Sequence, residues 1–263
     1  MAEIQENFGI VLMIDALGIS GFTNKQCIQF LEKRATLNTT IQLIKGMYEF
    51  VFGEVYTEKI QISEFGDTII ICWQHDEKNC KYFKLYEVVS RTNHIIKWGI
   101  ENGILFRGCI SVGDYIFEKN DLGTTVLGPA IFDAHEWYES ANWFGVIFSP
   151  KSKLWVDSVI EEEKRKPRYN SSEISLKNLE KELVLYDVPL SHSSTGENTK
   201  KFLSIAWPVK YFSSTDKQQD TPRDALLKDL IKIPQPEIAK PKFQHSLDFF
   251  DWFSENHPYQ KEK

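Results

Sequence analysis

Phe8-Gly-Ile-Val-Leu-Met-Ile-Asp15-Ala-Leu-Gly18 is the stretch of sequence that decides the fold prediction. Its unbroken apolar run predicts a buried strand that ends at the carboxylate of Asp15 and is broken by the glycine that follows. A second carboxylate, Asp67, lies in Glu64-Phe-Gly-Asp67, directly before the apolar run 68–73. The glycine–aspartate pair predicts the turn of a β-hairpin. An aspartate that closes one strand and an aspartate that opens a hairpin strand can meet at one edge of a sheet.

Two carboxylates at neighbouring strand ends repel each other unless a cation lies between them. Mg²⁺ and Mn²⁺ prefer carboxylate and carbonyl oxygens, and Ala16 would add a backbone carbonyl beside Asp15. Such a pair can hold a divalent ion against a triphosphate. Taken singly, Asp15 and Asp67 are equally typical of ordinary turn residues. The metal-site hypothesis therefore depends on the two being brought together.

An arginine interrupts another apolar strand, Leu105-Phe-Arg107-Gly-Cys-Ile-Ser-Val112. Arg107 either points outward into solvent or presents a planar, bidentate donor to phosphate oxygens. Further along, Gly128-Pro129 leads into a predicted helix over 130–143, and the first turn of a helix offers free N–H groups to an anion.

The overall composition is that of a folded protein with a sizeable core. The 263 residues are 42% hydrophobic and 13% aromatic, and the net charge of −6 argues against a protein that coats nucleic acid. The four cysteines show no metal-ligand spacing, the N-terminus lacks a signal-peptide pattern, and no apolar run reaches the roughly 20 residues of a membrane span. We expect a cytoplasmic protein with no nucleic-acid or membrane partner.

The order of predicted elements is β-αα-ββ-α-ββ-α-β-α-β-β. This order predicts an α+β fold, an antiparallel-rich sheet covered by helices, over residues 1–211. A turn is expected at Gly113-Asp114, between strands at 104–112 and 115–117. Residues 212–263 are predicted to form a linker and an aromatic-rich C-terminal extension, whose exposed aromatic side chains would be unfavourable in water. We expect this extension to dock on the core of the same chain or across a dimer.

The residues above resemble the motifs of the class III nucleotide cyclase catalytic domain, whose core is ferredoxin-like. Four segments, in the order and spacing of that family, carry the resemblance: Ile14-Asp15-Ala-Leu-Gly-Ile-Ser-Gly-Phe-Thr23, Gly66-Asp67, Arg107-Gly-Cys-Ile-Ser-Val-Gly113, and Gly128-Pro-Ala-Ile-Phe-Asp-Ala-His-Glu136. Together they cover about residues 5–210.

The resemblance implies a set of roles. Asp15, Asp67 and the carbonyl of Ala16 would hold two Mn²⁺ or Mg²⁺ ions per site, and Arg107 would hold the phosphates. The ribose 3′-oxygen would attack the α-phosphorus, with diphosphate leaving. The family forms its active sites between two subunits, so a homodimer is implied.

Two departures bear on the substrate and on the rate. The family's asparagine and transition-state arginine are Phe132 and Glu136 here, so another cation, such as Lys200, Lys201 or Lys210, would have to replace the arginine. The positions that read purines in adenylate and guanylate cyclases are Ser63 and Thr125. Neither purine code is present.

These departures, together with the small single domain, resemble the pyrimidine cyclases of the bacterial Pycsar antiphage system. Ser63 and Thr125 can each donate and accept a hydrogen bond, which suits a pyrimidine edge. Tyr56 would narrow the base pocket against purines, or else be an ordinary core aromatic. The implied function is a uridylate cyclase that converts UTP to cyclic UMP and diphosphate, a second messenger in antiviral defence. The alternatives are a cytidylate cyclase that makes cyclic CMP and a catalytically silent, nucleotide-binding module of the same fold.

Overall fold

The first four strands of the sheet form a ferredoxin-like unit. The computed structural model describes residues 3–19, 22–52, 60–75, 81–121, 123–165, 172–191, 198–214, 221–231, 233 and 240–257. Within them the sheet order is β2-β3-β1-β4-β6-β8-β7, and β5 pairs only with β4. The elements are β1 (Glu3–Ala16), α1 (Asn24–Phe52), β2 (Ile60–Phe65), β3 (Thr68–Gln74), α2 (Lys81–Glu101), β4 (Phe106–Asn120), β5 (Gly123–Leu127), α3 (Pro129–Ser140), β6 (Gly145–Phe148), α4 (Pro150–Arg165), α5 (Ser172–Glu182), β7 (Leu183–Pro189), β8 (Thr199–Ile205), α6 (Val209–Ser214), α7 (Pro222–Leu230) and α8 (Lys240–Asn256).

The βαββαβ order of the first six elements and their antiparallel pairing give the ferredoxin-like arrangement. Beyond it, β6 runs parallel to β4, and β7 and β8 close the far side in antiparallel pairing. The predicted α+β class, an antiparallel-rich sheet covered by helices, is confirmed.

Strand β1 lies in the middle of the sheet and is covered on both faces. Ile10, Leu12 and Ile14 pack into the main core with α1 and α2. Val11 points to the opposite face, where it packs with Ala130 of α3. Burial on both faces explains why the sequence of β1 is a continuous apolar run rather than an alternating one.

The turn expected at Gly113-Asp114 is wrong, because β4 continues through both residues to Asn120. Gly113 pairs with Gly9 of β1, and a Cβ at Gly113 would lie 3.7 Å from the side chain of Ala130. That distance is an ordinary van der Waals contact, so this glycine is part of a regular strand and does not reverse the chain. The actual reversal follows Asn120 and leads into β5, which the sequence did not predict.

The C-terminal extension docks on the core of its own chain. The rings of α8 pack against aromatic side chains near β6–β8, with the centroid of Phe249 4.8 Å from Trp143 and 4.7 Å from Tyr186. The boundary expected at residue 211 falls within α6, and α7 and α8 lie in the predicted extension. Among the described helices, none combines the length and the apolar character needed to cross a membrane.

Truncation of Phe249 tests this docking. Phe249 is fully buried, so Phe249→Ala should lower the free energy of unfolding by about 3–5 kcal/mol through lost contacts and a cavity. Glu255→Ala, an exposed position on the same helix, should change it by less than about 0.5 kcal/mol. Urea unfolding followed by tryptophan fluorescence measures both. Equal stability of the two variants would contradict docking in cis.

Candidate functional site

Asp15 and Arg107 face each other because of the strand register. At the end of β1, Asp15 lies opposite Thr68 on β3 and opposite Arg107 on β4. The backbone N–H of Ala16 donates to the carbonyl of Asp67 at 3.2 Å, which fixes the hairpin turn against the end of β1. The structure therefore brings together Asp15, Ala16, Asp67 and Arg107, as the sequence predicted.

Both oxygens of the Asp15 carboxylate accept hydrogen bonds. Nε and Nη2 of Arg107 each donate to Oδ2 at 3.2 Å, and the hydroxyl of Thr68 donates to Oδ1 at 3.3 Å. The guanidinium also lies over the ring of Tyr138, 5.2 Å from its centroid. Asp15 thus binds one edge of the Arg107 guanidinium and Tyr138 covers one face. Its Nη1 makes no hydrogen bond to the residues that the structure describes.

The two carboxylates of the site, those of Asp15 and Asp67, repel each other. Burial raises the pKa of Asp15 above its ordinary value of 3.8, the nearby charge of Asp67 raises it further, and Arg107 opposes both. The side chain of Asp15 is only 13% exposed. Within the described part of the chain, the carboxylate of Asp67 has no hydrogen bond or ion pair. Two carboxylates that repel each other beside one guanidinium leave a place for a further cation.

The donor set fits a hard divalent ion. No cluster of three or more histidine, cysteine or acidic side chains occurs among the described residues. Asp15 and Asp67, with the carbonyl of Ala16, could supply two carboxylates and one backbone oxygen. Mg²⁺ typically takes one or two carboxylates and completes its shell with water and substrate phosphates. This arrangement differs from the closed thiolate and imidazole sites that zinc prefers.

The predicted base-reading residues are not gathered around Asp15 in one chain. Ser63 lies on β2 opposite Ile70, which pairs with Met13, so it is two strands from β1, roughly 10 Å away. Thr125 lies on β5 opposite Glu118, at the far end of β4 from Arg107, on the order of 35 Å along the strand. Tyr56 lies outside the described residues.

The lysines suggested as replacements for the family's arginine are engaged elsewhere. Lys200 lies over the ring of Trp137, Lys201 pairs with Asp187, and Lys210 pairs with Glu182 at 2.8 Å. The side chains at the two substituted motif positions, Phe132 and Glu136, are exposed on α3.

Sequence reasoning missed two residues near the site. Tyr138 of α3 covers Arg107, and its pKa is raised to about 12 by burial, with Asp15 adding to the shift. Lys242 of α8 is half-buried, and its pKa is lowered by burial and then by Arg107, while Asp15 raises it. Tyr138 follows the last motif on the same helix, so its helical spacing was a usable signal. Nothing in the sequence indicates where Lys242 docks.

No family model matches this chain, and no curated protein matches it. Among solved structures, the catalytic core of a rhodopsin-guanylyl cyclase with converted specificity, in complex with ATPαS, is similar at 11% identity and TM-score 0.44, over 77% of this chain and 97% of that one. The guanylyl cyclase Cya2 is similar at 10% identity and TM-score 0.45, over 78% and 93% of the two chains. The non-canonical dimeric guanylyl cyclase domain of the RhoGC fusion protein from the aquatic fungus Blastocladiella emersonii is similar at 14% identity and TM-score 0.40. The match covers 77% of this chain and 98% of that one. These similarities are remote and assign no activity to this chain.

The charge repulsion in the site can be measured by titration. Asp67→Asn should lower the pKa of Asp15, because it removes a nearby negative charge and keeps the shape of the side chain. With its raised pKa, Asp15 makes the free energy of unfolding fall as the pH rises from 3.8 through the folded pKa. The fall should be smaller in Asp67→Asn, which should be more stable than wild type at pH 7 by up to about 1 kcal/mol.

Carboxyl NMR shifts and urea unfolding between pH 3 and 8 give the two quantities. Asp114→Asn removes an exposed carboxylate elsewhere on β4 and serves as the control. An unchanged Asp15 pKa in Asp67→Asn would show that the two carboxylates do not interact.

Proposed function

We propose that this protein is a metal-dependent pyrimidine nucleotide cyclase that converts UTP to cyclic UMP and diphosphate. The observation that carries the proposal is the meeting of Asp15 and Asp67 beside Arg107, on the strands and the hairpin turn where the cyclase-like motifs lie. The motifs suggest the reaction, and the nearness of two carboxylates that repel each other supports a metal-binding role for them.

In the proposed reaction, the ribose 3′-oxygen forms a bond to the α-phosphorus. The bond from that phosphorus to the bridging oxygen breaks, diphosphate leaves, and the hydroxyl proton passes to solvent. Asp15, Asp67 and the carbonyl of Ala16 would hold Mn²⁺ or Mg²⁺, two ions in the full proposal. The bound metal would lower the pKa of the 3′-hydroxyl and neutralise phosphate charge.

Arg107 is held so that it can bind phosphate without losing its orientation. Asp15 fixes its Nε and Nη2, and the ring of Tyr138 supports its face. Its remaining donors can bind non-bridging phosphate oxygens, for which a rigid guanidinium is well suited. Fixing this group before substrate arrives reduces the reorganisation that the transition state requires.

Recognition of the base requires a second copy of the chain. Because Thr125 lies at the far end of β4, it could contribute only to the site of a partner in a homodimer. Ser63 would contribute from β2, and Tyr56 is assigned to the same pocket from its sequence position. The exposed side chains of Phe65, at the hairpin, and Phe132, on α3, are 85% and 66% accessible. Their burial would favour such a dimer.

The second candidate function is a silent nucleotide-binding module. It is favoured by Phe132 and Glu136, which occupy positions of the family's catalytic asparagine and arginine and point into solvent. Such a module would keep metal-dependent nucleotide binding and lack turnover. A cytidylate cyclase would use the same site and differ only in the base.

The purified protein should convert UTP to cyclic UMP when Mn²⁺ is present. We expect this product and diphosphate when ATP, GTP, CTP and UTP are supplied together and the products are separated by chromatography. If cyclic CMP is the main product, the protein is a cytidylate cyclase instead. A metal-dependent rise in melting temperature with nucleotide, without turnover, would support the silent module. The proposal would be overturned if all four nucleotides remained unconverted and none of them raised the melting temperature.

Loss of either aspartate should abolish activity and leave the fold intact. Asp15→Asn and Asp67→Asn should each reduce cyclisation by at least about a hundredfold, because each removes a charged ligand at the reacting phosphates. The rise in melting temperature that Mn²⁺ gives the wild type should be lost in both. Asp114→Asn is the matched control and should retain activity. Cyclisation that survives in Asp67→Asn would exclude the two-carboxylate site.

A further inference from the structure

Helix α8 is fixed to the strand that lies next to Arg107. The hydroxyl of Ser246 accepts from the N–H of Phe144 at 2.8 Å, and it lies 3.1 Å from the carbonyl of Phe144. The ring nitrogen Nδ1 of His245 lies 2.7 Å from the carbonyl of Asn142. Residue 145, which follows directly, pairs with Arg107 in the parallel β4–β6 ladder. The first turns of α8 are thus anchored to the backbone beside the candidate site.

Lys242 lies on this anchored segment, one turn before Ser246. The Ser246 hydroxyl is 2.8 Å from the carbonyl of Lys242, so the two residues share one side of the helix. Next to Lys242, Phe243 is buried against Phe144, with the ring centroids 6.1 Å apart. These contacts hold the backbone of Lys242 at a fixed position relative to β6.

The anchoring of α8 beside residue 145, the partner of Arg107, brings Lys242 to the side of the sheet where Asp15 and Arg107 lie. Burial and the positive charge of Arg107 lower its pKa, while Asp15 raises it. Lys242 makes no ion pair with a carboxylate among the residues that the structure describes. Asp15 is already engaged by Arg107, with Nε and Nη2 each 3.2 Å from Oδ2, so the Lys242 ammonium has no carboxylate of its own in the described part of the chain. A half-buried ammonium without its own counter-ion is stabilised when an anion binds beside it.

We propose that Lys242 binds the triphosphate of the nucleotide, as the second cation beside Arg107. This inference rests on the proposed function and extends it by assigning substrate binding to the C-terminal extension. A flexible ammonium is suited to non-bridging oxygens of the β- and γ-phosphates, as a compact point charge. The lysines at 200, 201 and 210 already have partners, and residue 136 is an exposed glutamate.

The test compares Lys242→Gln with Lys240→Gln, which removes the same charge from an exposed position on the same helix. The ligand is 3′-deoxy-UTP with Mn²⁺, which binds but has no 3′-hydroxyl to react, and affinity is measured by calorimetry. Lys242→Gln should weaken binding by about 10- to 100-fold, the size of one lost charge-assisted hydrogen bond. Lys242→Arg should restore most of it, and Lys240→Gln should bind like wild type.

A purely structural role for Lys242 predicts a different result. It would lower the melting temperature of Lys242→Gln and weaken 3′-deoxy-UMP binding as strongly as 3′-deoxy-UTP binding. The proposal requires an unchanged melting temperature and a loss that grows with the number of phosphates. If Lys242→Gln and wild type bind 3′-deoxy-UTP with equal affinity, the role of Lys242 is overturned. The cyclase proposal still holds in that case, provided that the wild-type protein turns over UTP. A wild-type chain that neither binds nor cyclises nucleotide would overturn both.

Discussion

The register of β1 against its two neighbours is the constraint on which the site depends. Thr68, Asp15 and Arg107 form one row across β3, β1 and β4. A slip of one residue in either pairing would turn the side chains of a whole strand to the opposite face. The register is fixed by burial, because Leu12 and Ile14 must face the main core while Val11 faces α3. The core therefore positions the polar row without any polar interaction having to do so.

The same row is electrostatically unfavourable in the free chain. Asp15 is largely buried, lies near a second carboxylate and has one guanidinium to compensate it. Local destabilisation of this kind is retained where the surrounding structure is over-determined, as it is in the centre of this sheet. In the proposed enzyme, the free energy lost to repulsion in the free chain is recovered when a cation binds. The repulsion therefore increases the free-energy difference between the metal-free and the metal-bound protein.

Much of the fold and the centre of the site could be predicted from local sequence. The apolar runs located the strands, and Gly66-Asp67 located the hairpin. The aspartates and Arg107 could be paired because each lies at a strand end or within a strand. Gly113 misled the prediction, since a glycine followed by an aspartate is typical of a turn, and here both residues lie within strand β4. Helix α7 has a local signal, the capping box of Thr221 and Asp224 with Pro222 at its first position, which the prediction passed over. The position of Lys242 depends on contacts between distant parts of the chain, which sequence periodicity does not encode.

The aromatic packing of α8 links the stability of the extension to the position of Arg107. Phe249 contacts Trp143 and Tyr186, and Ser246 bonds the backbone of Phe144, so α8 supports the start of β6 from two directions. Strand β6 is in turn the neighbour of β4 at Arg107. A change that loosened α8 would release Lys242 and also remove support from the strand beside the guanidinium. If Lys242 binds phosphate as proposed, both cations depend on the same packing, and the extension would then belong to the site.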